Sequence, residues 1–67
     1  MLISRHIHDN IDLALIEAFI HHRYPTLEFS SSKVCSSTHT IVIDGFHDND
    51  HAARFTAALK NQTGVRL

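Results

Sequence analysis

The sequence predicts a small α/β (α+β) fold, a two-layer sandwich in which a three-stranded sheet carries two helices on one face, in chain order β-α-β-β-α. Three observations lead there. Short stretches alternate between apolar and polar residues, as half-buried strands do. Two longer stretches, "IDLALIEAFIHHRY" and "DHAARFTAALKNQ", repeat their apolar residues at helical spacing. Pro25 and Gly45 fall between these stretches, where chain breaks are needed.

In the first stretch, "LISRHIH", Leu2, Ser4, His6 and His8 alternate with Ile3, Arg5 and Ile7. This predicts a short strand with Ile3 and Ile7 inward. Asp9 and Asn10 are N-cap residues for the helix that follows. On that helix Ile11, Leu15, Ala18 and Phe19 form one stripe, and Leu13, Ile16 and Ile20 form an adjacent one. Together they make the broad apolar face of a helix lying on a sheet. Asp12 suits the positive end of the helix dipole, and His21, His22 and Arg23 suit the negative end. Pro25 stops the helix, because the residue before a proline is pushed out of helical conformation.

Leu27 and Phe29 then alternate with Glu28 and Ser30, which predicts a strand with one wet face. "HTIVIDGF" predicts another, with Ile41 and Ile43 on one face and Val42 on the other. The serine-rich piece between them is read as a hairpin with its tip within residues 32–38. Lacking Asn-Gly or Asp-Gly, it leaves the register open. Gly45 breaks the last strand, Asp48 or Asn49 caps a second helix whose apolar positions are Ala52, Phe55, Ala58 and Leu59, and Gly64 stops it. The predicted core is Ile3, Ile7, Leu13, Ile16, Phe19, Ile20, Leu27, Phe29, Ile41, Ile43, Phe55 and Leu59.

Sixty-seven residues make one domain, residues 1–67. A chain of this length buries only about 60% of its unfolded surface. Folding is then marginal unless a disulfide, a metal, a partner subunit or unusually good packing adds to it. A single cysteine, Cys35, rules out an internal disulfide. Six Lys/Arg against seven Asp/Glu give a net charge of -1, neither a basic nucleic-acid footprint nor an acidic mimic of DNA. Arg5, Arg23, Lys33, Arg54, Lys60 and Arg66 are scattered along the chain, whereas phosphate binding needs a connected basic surface. Nucleic-acid binding is therefore the alternative reading, with Lys33 at the hairpin for phosphate and Tyr24 or Phe46 for stacking on a base. No stretch is long enough to span a membrane. One thiol and no signal-peptide run lead to the expectation of a reducing cytoplasm.

Seven histidines are the compositional anomaly. His47 and His51 have the four-residue spacing of paired metal ligands on a helix, and are the weak metal candidates. A structural zinc site needs four ligands, and no cysteine pair completes one, so no metal and no other cofactor is expected. Cys35 with His39, or Asp44, Asp48 and Asp50 with His47 and His51, contain the residue types of a nucleophile-base or acid-base pair. No P-loop, dinucleotide fingerprint or nucleophile elbow is present, and so short a chain has little material for a water-excluding pocket. The expectation is that the protein is not an enzyme.

A helix ending in "RYP", then a strand, a polar turn, "IVIDGF", and a helix opening on Asp-Asn-Asp together resemble the DinI-like family. These small proteins of bacterial chromosomes, plasmids and phages share the β-α-β-β-α order. The resemblance covers roughly residues 2–60. It implies a regulator that binds the RecA filament in the DNA-damage response. The family's last helix is strongly acidic, whereas here it carries Arg54 and Lys60, with acids confined to Asp48 and Asp50 at its start.

The sequence thus leads to an interaction module that regulates or inhibits a larger protein machine acting in DNA damage or defence. A RecA-like filament is one partner to consider and a homodimer a further possibility. The sheet face opposite the helices would show Glu28, Ser30, Ser32, Thr40, Val42 and Asp44. The partner-binding residues selected are Glu28, Lys33, Val42, Asp48, Asp50, Arg54 and Lys60, the exposed charges and the one outward apolar side chain on the sheet and second helix.

Overall fold

β3 (Thr38–Asp44), the last strand in the chain, occupies the middle of the sheet, between β1 (Leu2–Ile7) and β2 (Glu28–Cys35). The computed structural model describes residues 1–67. Both outer strands run antiparallel to β3, so β1 and β2 run in the same direction with β3 between them. Strands that run in the same direction need a crossover rather than a tight turn. Helix α1 (Asn10–Arg23) supplies it, and α2 (Asn49–Thr63) returns after β3, giving the order β-α-β-β-α. The central place goes to the strand with the apolar run, because only a central strand is flanked on both sides.

Register sorts the side chains into two faces. Ile43 lies between Ile3 and Phe29, and Ile41 between Arg5 and Ser31, on the side the helices cover. Ile41 and Ile43 are fully buried there, with Ile16 of α1 and Phe55 and Leu59 of α2. The core holds thirteen hydrophobic residues and no polar one. Leu13 and Phe29, expected in it, are half-buried at its rim. Phe46, Ala52 and Val65 are buried in addition.

Two glycines explain two of those additions. Gly45 has φ of 105° and Gly64 of 81°, both in the region that side chains rarely adopt. The first turns the chain out of β3 so that Phe46 packs on Phe55, ring centroids 5.3 Å apart. Phe55 also meets Phe19 at 5.7 Å and Tyr24 edge-on at 5.1 Å, so it is the hub of the aromatic packing. The second ends α2 in a left-handed cap, with its N–H donating to the Lys60 carbonyl at 2.9 Å, and reverses the chain to bury Val65.

The helix starts are capped by the expected acids. The Asp9 carboxylate accepts from the Ile11 N–H and the Asp48 carboxylate from the His51 N–H, each at 2.8 Å. Tyr24, before Pro25, leaves the helix with φ of −134°, and its carbonyl accepts from Leu27 N–H at 3.0 Å. That bond closes a β-turn with Pro25 at its second position, where a fixed φ is favourable. The hairpin turns at Ser36–Ser37, with a register shift between Lys33 and Cys35.

Candidate functional site

The sheet face opposite the helices is built of three cross-strand rows. Leu2, Asp44 and Glu28 form the first; Ser4, Val42 and Ser30 the second; His6, Thr40 and Ser32 the third. Glu28, Phe29, Ser30, Val42 and Asp44 line a shallow depression in this face. Glu28 and Asp44 are direct cross-strand neighbours, and the single ion pair of the chain lies elsewhere, so neither carboxylate is held in an ion pair. Like charges directly opposite one another on a sheet are destabilising. Asp44 has a local task, since it accepts from the Gly45 N–H at 2.8 Å. Glu28 has none. Beside the two acids, Leu2 is 53% exposed and Val42 half-buried.

At the other end of the same face stand histidines and hydroxyls in hydrogen-bonding distance of one another. His6 Nδ1 lies 3.1 Å from Thr40 Oγ1, and His8 Nδ1 3.1 Å from Thr38 Oγ1. Cys35 is opposite Thr38 and exposed. The Thr38 hydroxyl, followed by the Ser37 backbone, holds its thiol below the ordinary cysteine value, because hydrogen bonds to sulfur favour the thiolate. His39, paired with Cys35 as nucleophile and base from the sequence, alternates onto the helix side of β3, in register with Ile7 and Lys33. The pleat therefore parts these two residues.

On α2, Asp50 and Arg54 pair with each other at 2.7 Å, one turn apart, with side chains 75% and 72% exposed. Such a surface pair contributes only about 0.3–0.5 kcal/mol. The Asp48 carboxylate is engaged as the cap. Lys60 stands in the last turn of α2 and Lys33 on the edge strand β2, neither in an ion pair. Of the residues selected from sequence, the structure therefore brings Glu28 and Val42 together on the sheet and joins Asp50 to Arg54 on α2. These two groups lie on opposite sides of the sandwich, so one flat partner surface cannot cover both. Asp44 and Leu2 complete the sheet patch and were not selected. Asp44 carries the outward alternation of β3, but Leu2 joins the row only because β1 is the strand that pairs with β3.

His47 and His51, the weak metal candidates, have a folding role. The His47 N–H donates to His51 Nδ1 at 3.1 Å, while the His51 N–H donates to Asp48. This is a capping box displaced by one residue, with histidine in place of Glu or Gln. The two rings stack at 5.0 Å and 19°, and His51 packs edge-on against Phe46 at 5.5 Å. Stacked rings hold their in-plane lone pairs side by side rather than converging on one point, and Nδ1 of His51 is occupied. No group of three or more His, Cys, Asp or Glu residues is placed to hold a metal.

A second shallow cleft, between the end of α1 and the start of β2, is lined by Glu17, Ile20, His21, Pro25, Leu27 and Phe29. It brings no nucleophile to a base. No helix is long and apolar enough to cross a membrane. Compared with protein-family models, curated proteins and solved structures, the chain matches none.

Proposed function

We propose that the protein is a non-enzymatic interaction module that regulates a larger protein machine, and that its partner seats on the open sheet face at Glu28, Val42, Asp44 and Leu2. The observation that supports this reading is the uncompensated Glu28–Asp44 pair beside two exposed or half-exposed apolar side chains. The fold gains nothing from placing two carboxylates opposite each other. A partner's arginine or lysine would neutralise them, and its apolar neighbours would cover Val42 and Leu2. Interfaces of this type combine a small apolar centre with charge complementarity that sets orientation. The DinI-like resemblance makes a RecA-type filament on DNA the first partner to test, and a machine acting in DNA repair or defence the wider class.

The test is binding of the purified protein to a RecA filament and affinity capture from its native host, each repeated with Glu28→Lys/Asp44→Lys. Retention of a defined partner by the native chain and its loss in the double variant is the expected result. A partner retained equally by both would remove the sheet face from the interface.

A further inference from the structure

We infer that the outward face of α1 is a self-association surface, on which α1 of a second copy of this chain packs antiparallel. α1 carries apolar residues beyond its core-facing side, beside the exposed polar residues Asn10, Glu17 and His21. Ile16, Phe19 and Ile20 face the core, yet on the opposite side Ile11 is 69% and Leu15 36% exposed, with Ala14 and Ala18 also exposed. A helix on the surface of a sandwich ordinarily presents polar residues outward. α2 does so with Asp50, Arg54 and Asn61. On α1 Ile11, Leu15, Ala18 and His22 instead recur at alternating four- and three-residue steps, the spacing of a helix-helix seam.

The occupant follows from the self-complementarity of that seam. Placed antiparallel about a twofold axis, Leu15 of one copy falls opposite Ala18 of the other, a large side chain against a small one. Ile11 then lies beside His22. In the same register the first turn, with Asp9 and Asp12, meets the last turn of the second copy, with His21, His22 and Arg23. Acid end meets basic end and the helix dipoles oppose one another. A twofold interface must be complementary to itself in this way. A chain of this size, without a disulfide, also gains stability from such burial. The surface lies on the helix layer, away from Glu28 and Val42, and does not rest on the partner reading.

The experiment is sedimentation velocity of the full chain from low micromolar to millimolar concentration, for the wild type, Leu15→Glu and Ala18→Lys, and for the two variants mixed. The wild type should pass from monomer to dimer. Each variant alone should weaken the dimer at least about tenfold, with unchanged helical circular dichroism at low concentration. Mixing them should restore association, because Glu at position 15 of one copy then faces Lys at position 18 of the other. A wild type that stays monomeric overturns the inference. So does a dimer indifferent to both variants, or a mixture with no rescue. Should Leu15→Glu lose helicity, Ile11→Ser, at the more exposed position, takes its place in the weakening arm.

Discussion

The backbone N–H of His47 donates to Nδ1 of His51, 3.1 Å away, and this bond closes the start of α2. His51→Ala removes the acceptor while Asp48 continues to cap the His51 N–H. The expected loss is about 1 kcal/mol, the scale of one net hydrogen bond. His51→Gln, which can reach back to the same amide, should recover part of it. Asp48→Ala should cost about 0.5–2 kcal/mol. Denaturant midpoints of the three variants check the order, and a His51→Ala protein as stable as wild type would leave the stacked histidines without a folding role.

Glu28→Gln and Asp44→Asn separate stability from binding. Each relieves repulsion between carboxylates placed opposite one another. Glu28→Gln should raise stability by a few tenths of a kcal/mol, within the roughly 0.2–1 kcal/mol range of cross-strand pairs. Asp44→Asn should gain less, since Asp44 also accepts from Gly45. Both should weaken partner binding. Thermal melts and a binding titration on the same samples test the opposition. A clear fall in stability with Glu28→Gln would mean that Glu28 serves the fold.

The Cys35 thiol should react as a thiolate at lower pH than an ordinary cysteine. Hydrogen bonds from Thr38 and Ser37 lower its titration, so the thiolate fraction at a given pH is larger than for a free thiol near pH 8.5. The alkylation rate against pH should therefore reach its midpoint below that of a cysteine peptide. Thr38→Val should move the midpoint upward. A midpoint at or above the peptide's would exclude the hydrogen bonds as its cause.

Phe55→Ala should leave little folded protein at room temperature. The ring is fully buried between Phe19, Tyr24 and Phe46. Large-to-small changes at such a site cost about 3–5 kcal/mol, comparable with the whole stability expected of a chain this small. Circular dichroism across a denaturant series measures it. Ala58→Gly, on the rim of the same helix, should cost only the roughly 1 kcal/mol of helix propensity.

Element order, helix caps, helix stops and most of the core were legible in the chain, because each depends on neighbours a few residues away. Asp9 and Asp48 cap as their positions predict, and Ile41 and Ile43 are inward as the alternation of β3 predicts. Phe46 and Val65 were not legible as core. Their burial depends on the direction in which Gly45 and Gly64 turn the chain, and local periodicity carries no sign of that direction. Of the sheet patch, Glu28 and Val42 were legible as outward residues of their strands. That they share a depression with Asp44 and lie beside Leu2 was not.

The sequence by itself determined which residues form strands and helices, where each element starts and stops, and which face of the strands and of α2 is apolar; on α1 the stripe of Ile11, Leu15 and Ala18, read as lying on the sheet with Phe19, is exposed. Periodicity, capping and the restrictions of proline and glycine act within one or two turns of chain. Only the tertiary structure decided that β3 stands between β1 and β2. That choice sets Leu2 beside Asp44, while the register of β2 on β3 sets Glu28 against Asp44 and puts Cys35 and His39 on opposite faces. Strand order and register join residues tens of positions apart through backbone hydrogen bonds that are alike for every residue type, so the local pattern carries no record of them.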